Sequence, residues 1–188
     1  TQAVSGSAGN LVTFTVNPGD AVTVNSPVTL NSRSYIDIDH FTFTGSSAAI
    51  VGNGTTSHNI IDHNTFLGVI GFRINDGQGS NGSDNVISNN TLTYTSITTN
   101  ATGFYVYGDR NRFENNTISG GGGDCWDVGG TQVVIRGNSC HDMNGTTSGE
   151  HIDFVDVIGG GTVPTLTFSL IENNVTYNNT NQSHALIV

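Results

Sequence analysis

One short phrase containing asparagine recurs along the chain, and this recurrence constrains the fold more than any other feature. The copies read NIIDHNTF (59–66), NVISNNTL (85–92), NRFENNTI (111–118), VVIRGNSC (133–140) and SLIENNVT (169–176), and YIDIDHFTF (35–43) joins them with Phe41 in the asparagine position. The repeated asparagines are Asn64, Asn90, Asn116, Asn138 and Asn174. Counted from Phe41, successive anchors lie 23, 26, 26, 22 and 36 residues apart. A period in the twenties is typical of a solenoid, in which each repeat buries its apolar face against its neighbours.

Each repeat contains three short strand-like pieces: one before the asparagine, one after it, and one between successive phrases. The third pieces are residues 27–31, 48–52, 71–75, 103–107, 125–129, 151–155 and 184–188. Alternation of side chains along a strand then predicts which residues point inward. These are Ile61, Ile87, Phe113, Ile135 and Ile171 before the asparagine, Phe66, Leu92, Ile118 and Cys140 after it, and Phe72/Ile74, Phe104/Val106, Trp126/Val128 and Ile152/Phe154 in the third piece.

The asparagines are expected at the corner between the first two pieces, where their amides stack about 4.8 Å apart as a ladder. The sequence therefore predicts one all-β domain over residues 1–188. Its repeating part is a parallel coil of about seven rungs over residues 27–188, preceded by an N-terminal arm and entry strands over residues 1–26.

Two segments, SYIDIDHFTFTG (34–45) and NRFENNTISG (111–120), resemble rungs of the right-handed parallel β-helix proteins of the pectate-lyase-like group. The resemblance covers roughly residues 20–188 and implies a right-handed parallel β-helix. Members of that group include polysaccharide lyases, hydrolases and epimerases, and also adhesins, phage spikes and surface fibres. The fold that the resemblance implies therefore leaves the function open.

The charge balance limits the partners of such a coil. The 188 residues include five arginines and no lysine, and the net charge is −10, so the protein's field repels nucleic acids and anionic membranes. No apolar run approaches the roughly 20 residues that span a bilayer, and the first residue is Thr1, which predicts that a signal peptide has been removed. We therefore expect an extracellular or cell-surface protein with no nucleic-acid partner and no membrane insertion.

The cysteines and the glycosylation sequons also bear on the predicted extracellular location. Cys125 and Cys140 are the only cysteines. They fall on adjacent repeats, which predicts one disulfide, and two buried free thiols are the alternative.

Nine Asn-x-Ser/Thr sequons occur, although Asn174 should be unavailable for glycosylation because it is a ladder residue. The remaining candidates for N-glycosylation are Asn53, Asn81, Asn89, Asn100, Asn115, Asn144, Asn178 and Asn181.

A chemically rich column is predicted on the outer face of the third strands, where enzymes of the resembled group generally work. Alternation places Thr29, Ala49, Arg73, Tyr105, Asp127, Asp153 and Leu186 in this column, with His151 beside it. Carboxylates about 5 Å apart on neighbouring rungs can act as an acid and a base and suit a retaining glycosidase. The alternative is an exposed strand face with polar residues, and a register slip of one residue would turn the column inward.

Two further patterns concern metal ions. IDIDH (36–40) above NIIDH (59–63) stacks Asp39 on Asp62 and His40 on His63, and two imidazoles with two carboxylates can hold a divalent metal. Ordinary polar corner residues are the alternative. GGGGDCWDV (120–128) resembles one calcium-binding nonapeptide of the repeat-in-toxin kind. A lone copy has no stacked partner to complete a cage, so the pattern favours a flexible loop. No cofactor is predicted, and Ca²⁺ is the ion that the pattern leaves open.

The ends of the sequence resemble strands rather than caps. The chain finishes with HALIV (184–188), and LVTFTV (11–16) and AVTVN (21–25) begin it without a preceding helix. Terminal rungs of a coil expose unpaired backbone groups and an open apolar column. We therefore expect either a longer chain or copies that stack head to tail into a filament, with the arm over residues 1–10 donated across the junction.

These patterns lead to two functional predictions. The first is an extracellular structural β-helix, a glycosylated subunit that binds copies of itself in a surface fibre or matrix. The alternative is a carbohydrate-active enzyme, a polysaccharide lyase, glycoside hydrolase or epimerase, that uses Arg73, Tyr105, Asp127, His151 and Asp153. Against the enzyme, the chain lacks lysine and lacks the Asn-Thr-Asp and Gly-His-Gly motifs of polygalacturonases.

Overall fold

The computed structural model describes residues 4–45, 48–68, 70–74, 82–94, 102–144, 152–157, 165–180 and 182–184. Over these ranges the chain forms short β-strands and no helix, and so no helix that could cross a membrane. The strands are β1 Val12–Thr15, β2 Thr23–Val24, β3 Val28–Thr29, β4 Ile36–Asp39, β5 Thr42–Thr44, β6 Ile50–Gly52, β7 Ile60–Asp62, β8 Thr65–Leu67, β9 Phe72–Ile74, β10 Val86–Ser88, β11 Thr91–Thr93, β12 Phe104–Tyr107, β13 Arg112–Glu114, β14 Thr117–Ser119, β15 Trp126–Thr131, β16 Val134–Arg136, β17 Ser139–His141, β18 Ile152–Asp153, β19 Val155–Asp156, β20 Leu166–Thr167, β21 Leu170–Glu172, β22 Val175–Tyr177 and β23 Gln182–His184.

Most strands stack into three parallel sheets, while β18 and β23 form a separate parallel pair and β20 pairs with β15. The first sheet has the order β1-β4-β7-β10-β13-β16-β21, the second β2-β5-β8-β11-β14-β17-β22, and the third β19-β15-β12-β9-β6-β3. Within each sheet, hydrogen-bonded neighbours run parallel and are separated along the chain by one turn of the coil. The chain is therefore a parallel β-solenoid, and the predicted all-β coil is confirmed.

The interior is a column of apolar side chains supplied by alternate residues of each strand. Phe43 stacks on Phe66 with ring centroids 5.2 Å apart, and Phe66 meets Phe104 edge to face. Each large side chain that is removed from water contributes about 1.5–3 kcal/mol to folding. The predicted inward residues are buried in the described turns, except that Ile171 in the last turn is only partly buried against the column.

The predicted asparagine ladder is present at the corner between the first and second sheets. In each step the Nδ2 of one asparagine donates to the Oδ1 of the next, with distances of 3.2, 3.0, 3.0 and 3.0 Å from Asn64 to Asn174. The first four members are about 1% exposed and Asn174 is partly buried. At the position that Phe41 occupies, its backbone N–H donates to the Oδ1 of Asn64 over 3.0 Å. The ladder therefore satisfies polar groups that would otherwise be buried without partners.

A second asparagine ladder, which was not predicted, lies five residues earlier in three consecutive turns. Asn59, Asn85 and Asn111 are fully buried. Asn59 Nδ2 donates to Asn85 Oδ1 and Asn85 Nδ2 to Asn111 Oδ1, both over 3.1 Å. These residues are the first letters of the phrases NIIDHN, NVISNN and NRFENN, so the signal was present in the repeat. Three turns of the coil thus have two hydrogen-bonded corners each.

The residue before each ladder position adopts a left-handed backbone conformation. The φ angles are 65° at His40, 49° at His63, 53° at Asn89, 56° at Asn115, 67° at Gly137 and 55° at Asn173. Glycine and asparagine tolerate this region better than other residues, which explains their recurrence before the ladder. The corner places His40 and His63 on the outside of adjacent turns.

Cys125 and Cys140 form a disulfide, with Cα atoms 6.3 Å apart and both residues buried. Cys140 belongs to β17 of the second sheet and Cys125 precedes β15 of the third sheet. The disulfide therefore ties two sheets together across the interior of the coil.

Candidate functional site

The outer face of the third sheet carries one column of residues in hydrogen-bonded register. From the first turn to the last, the column is Thr29, Val51, Arg73, Tyr105, Asp127 and Asp156. The predicted positions of Thr29, Arg73, Tyr105 and Asp127 agree with this register. His151 and Leu186, which were predicted beside or within the column, lie outside the described residues.

Two predicted members of the column are wrong, because the register differs from the one counted from sequence. Val51 rather than Ala49 pairs with Arg73, and Ala49 is buried. Asp156 rather than Asp153 pairs with Asp127. Asp153 is fully buried at the start of the same segment, where its backbone N–H donates to Asp124 Oδ1 over 2.7 Å.

Three carboxylates converge at the last turns of this column. One carboxylate oxygen from each of Asp124, Asp127 and Asp156 lies within 4.8 Å of the other two. Asp127 is only 5% exposed although it is on the outer face, and the hydroxyl of Thr102 donates to its Oδ2 over 3.4 Å. Negative charges this close repel one another, so such a cluster favours a shared proton or a bound cation. We refer to Asp124, Asp127 and Asp156 as the acidic cluster.

Sequence reasoning named Asp127 and missed the other two members of the acidic cluster. Asp124 lies in the GGGGDCWDV stretch, for which the sequence indicates only a single calcium nonapeptide or a loop. From Trp126 onward that stretch is strand β15, so the expected loop is wrong there. Oxygen ligands of this kind suit Ca²⁺, and calcium binding stays a prediction for this cluster.

An arginine and two tyrosines flank the acidic cluster. The guanidinium of Arg73 lies 5.3 Å from the ring centroid of Tyr105, a cation–π distance. Tyr105 meets Tyr107 edge to face with ring centroids 4.8 Å apart. Burial, together with the neighbouring Tyr105 and the charges of Asp127 and Asp156, raises the pKa of Tyr107 well above its ordinary range. The site therefore combines carboxylates, a cation and a phenol that stays protonated.

The first sheet carries the second group of predicted site residues, Asp39, His40, Asp62 and His63. The register pairs Asp39 with Asp62 as predicted, and the two imidazole rings are stacked with centroids 5.0 Å apart. His40 Nδ1 lies 2.6 Å from Asp39 Oδ1, and His63 Nδ1 lies 2.7 Å from Asp62 Oδ2. The structure therefore brings all four residues together.

Asp62 is held in a network of donors. Ser88 Oγ and Asn89 Nδ2 both donate to its Oδ1, over 2.7 and 2.9 Å. Burial acts to raise the pKa of Asp62, but the hydrogen bonds from Ser88, Asn89 and His63 outweigh it and hold the pKa below its ordinary value. Asp62 therefore stays ionised beside His63 at neutral pH.

The candidate glycosylation sites differ in their surroundings. Asn89, Asn115, Asn144 and Asn178 are exposed, and Asn53 is partly buried. Asn89 and Asn115 lie at left-handed corners, next to the ladder, and not in loops. Asn81, Asn100 and Asn181 lie outside the described residues, so their predicted modification has no structural description.

No protein-family model matches the chain, and comparisons with curated proteins and with solved structures also give no match. Its function therefore has to be argued from the chemistry of its own residues.

Proposed function

We propose that the protein is an extracellular carbohydrate-active enzyme of the pectate-lyase-like β-helix group, and that it acts at the acidic cluster on the third sheet. The observation that carries the proposal is the convergence of Asp124, Asp127 and Asp156 within 4.8 Å, next to Arg73 and Tyr105. Close carboxylates on a rigid sheet are the arrangement that splits the roles of acid and base in glycoside chemistry.

The reaction best supported by this spacing is hydrolysis with retention. Retaining glycosidases hold their two carboxyl groups about 5–5.5 Å apart, whereas inverting enzymes need about 6.5–9.5 Å to admit a water. In our proposal Asp127, which is buried, donates its proton to the glycosidic oxygen while the Asp156 carboxylate attacks the anomeric carbon. A water molecule then releases the sugar from Asp156 and returns a proton to Asp127.

The charge of the protein favours a neutral polysaccharide as the substrate. The net charge is −10, and the acidic cluster adds local negative potential, so uronate-rich chains are repelled. Tyr105 offers an aromatic face and Arg73 offers donors to sugar hydroxyls, and both are partly exposed. The buried disulfide between Cys125 and Cys140 supports an oxidising, extracellular location.

The test is an assay of released reducing ends on a panel of neutral polysaccharides. We expect turnover by the wild type and a loss of at least about a thousandfold in Asp127→Asn and in Asp156→Asn, because each removes one half of the acid and base pair. Asp20→Asn is the matched control, since Asp20 is an exposed aspartate that is distant in sequence from the acidic cluster. A wild type without turnover, or an Asp127→Asn variant with full turnover, contradicts the proposal.

A second candidate function, stacking of copies in a fibre, is supported by the first described turn. Phe14 faces the interior in register with Ile38 but is 44% exposed. It lines a cavity of about 570 Å³ together with Leu30, Phe41 and Phe43. We propose as the alternative that this open cavity binds the last described turn of another copy, where Ile171 is only partly buried.

The described part of the N-terminal arm does not support the predicted donation of the arm to another copy. The Gly6 N–H donates to the carbonyl of Ser34 of the same chain.

Light scattering on a size-exclusion column tests the stacking. We expect the mass of the wild type to rise with protein concentration. The Phe14→Glu variant should have the mass of a monomer, because a charge in the cavity opposes burial against a second copy. Leu67→Glu is the matched control, since Leu67 is an exposed leucine on the side of the coil. A wild type that stays monomeric at micromolar concentration contradicts the fibre and leaves the enzymatic proposal unaffected.

A further inference from the structure

Two identical Asp-His pairs lie one above the other on adjacent turns of the coil. Asp39 and Asp62 end strands β4 and β7, and His40 and His63 follow them at the left-handed corners. The imidazole rings are nearly parallel, with an interplanar angle of 11°. Both rings are about half exposed, with side-chain exposures of 58% and 50%.

The corner alone does not explain this arrangement. Other corners of the same row carry Asn89, Asn115 and Gly137, so the backbone conformation needs no imidazole. What distinguishes the two histidines is that each one contacts the aspartate that precedes it, and that Asp39 lies between both rings. Asp39 Oδ1 is 2.6 Å from His40 Nδ1 and 3.8 Å from His63 Nδ1.

We propose that Asp39, His40 and His63 form a binding site for one zinc ion or another divalent metal that prefers imidazole, such as Cu²⁺ or Ni²⁺. Two imidazoles and one carboxylate are a frequent ligand set for Zn²⁺, with the remaining positions filled by water or a further carboxylate. The site lies on the first sheet and is independent of the acidic cluster and of the enzymatic proposal.

The ligand separations suit a metal with small adjustments. Ligands about 2.1 Å from a tetrahedral zinc lie about 3.4 Å from one another. The two nitrogen-to-oxygen distances at Asp39, 2.6 and 3.8 Å, bracket that value. Binding through Nδ1 requires that each ring carries its proton on Nε2, which leaves Nδ1 free to bind the metal beside the carboxylate. The half-exposed rings have room for these adjustments.

The surroundings already fix part of the site. Thr15 Oγ1 donates to Asp39 Oδ2 over 3.1 Å, which leaves Oδ1 directed at the rings. Asp62 adds a negative charge beside the site: its Oδ2 contacts His63 Nδ1 over 2.7 Å, a contact that the metal would replace, and its Oδ1 is held by Ser88 and Asn89. The net charge of −10 also favours binding of a cation.

The experiment is a calorimetric titration of the purified protein with zinc chloride, after dialysis against a chelator. We expect one Zn²⁺ per chain, and a rise in the thermal unfolding midpoint in the presence of excess zinc, because the metal binds the folded state. His40→Asn and His63→Asn should each weaken binding by at least about tenfold, which is the least that loss of a supporting residue costs in metal sites. Asparagine suits these corners because Asn89 and Asn115 already occupy equivalent positions.

Two controls separate this site from other zinc-binding groups. His58→Asn removes a half-exposed histidine at another left-handed corner, where His58 stacks on Tyr35, and it should leave the affinity unchanged. Asp127→Asn removes a member of the acidic cluster and should also leave it unchanged. The proposal is overturned if the wild type binds no zinc at 100-fold excess, or if His40→Asn and His63→Asn bind zinc as tightly as His58→Asn does.

Discussion

The side-chain amide of Asn90 donates to Asn116 Oδ1 over 3.0 Å at a corner where both residues are 1% exposed. Asn90 Nδ2 also donates to the carbonyl of Ile61 over 2.8 Å, and its Oδ1 accepts from Asn64. Asn90→Ala removes these bonds and leaves buried polar groups on two neighbouring turns without partners. We expect the free energy of unfolding to fall by roughly 3 kcal/mol, measured by urea unfolding followed by circular dichroism.

A neighbouring asparagine provides the matched control for that variant. Asn115 is exposed and has a φ angle of 56°, a conformation that glycine adopts without strain. Asn115→Gly should therefore change the free energy of unfolding by no more than about 0.5 kcal/mol. An equally small effect of Asn90→Ala would show that the ladder does not stabilise the coil.

The disulfide should contribute through the loop that it closes. Cys125 and Cys140 are separated by 15 residues, and closing a loop of that length stabilises a protein by about 3 kcal/mol. We expect reduction of the wild type to lower the thermal unfolding midpoint. The Cys125→Ala/Cys140→Ala variant should unfold at a still lower temperature, because it also loses buried sulfur atoms. Identical midpoints for oxidised and reduced protein would contradict this prediction.

Asp37 should make the protein less stable at neutral pH. Burial raises the pKa of Asp37 above its ordinary value of 3.8; the Thr13 hydroxyl opposes this, and the charges of Asp39 and Asp62 add to it. The stability that comes from protonated Asp37 is therefore present below pH 3.8 and is lost as the pH rises through the raised pKa. Asp37→Asn should increase the urea midpoint at pH 7 and leave it nearly unchanged at pH 3. A lower midpoint at pH 7 would refute the prediction.

Glu114 should have the opposite pH dependence. It lies 2.6 Å from a guanidinium nitrogen of both Arg112 and Arg136. Burial acts to raise the pKa of Glu114, but hydrogen bonds from Arg136 and Arg112 outweigh it and hold the pKa below its ordinary value of 4.5. This stability is present above pH 4.5 and is lost as the pH falls through the lowered pKa.

The variant that tests this is Glu114→Gln, studied by urea unfolding across pH. We expect it to lower the free energy of unfolding by up to about 1 kcal/mol at pH 7. The difference from the wild type should shrink at pH 3, where the wild-type carboxylate is also protonated. A difference that is the same at both pH values would point to packing rather than charge.

The sequence was sufficient for the coil and its interior because both follow from repetition. Three features lie at fixed offsets from the asparagine phrase: the left-handed residue before each ladder asparagine, the inward side chains such as Ile61 and Phe66, and the stacked pair His40 and His63. The second ladder recurs in the same way, at Asn59 and Asn85, so the repeat was sufficient to predict it too.

The acidic cluster could not be predicted in full because its segment departs from the repeat. The anchors Asn138 and Asn174 are 36 residues apart, so the register of the intervening strand is not fixed by the period. In IDFVDV (152–157) the residues Ile152, Phe154, Val155 and Val157 are all buried. Alternation of buried and exposed residues therefore does not decide which aspartate lies in the outer column. The pairing of Val155 with Trp126 places Asp156 rather than Asp153 beside Asp127.

The ladder from Asn64 to Asn174 also gives the coil a direction. Each of the first four ladder asparagines donates one Nδ2 hydrogen to the Oδ1 of the next asparagine and the other to a backbone carbonyl of the preceding turn. The bonds between asparagines therefore all run in one direction along the coil. At the first step of the ladder the backbone N–H of Phe41 supplies the donor to Asn64 Oδ1. A reversed turn within this ladder would set two amide nitrogens or two amide oxygens against each other, so the ladder permits only one direction of the chain through the coil.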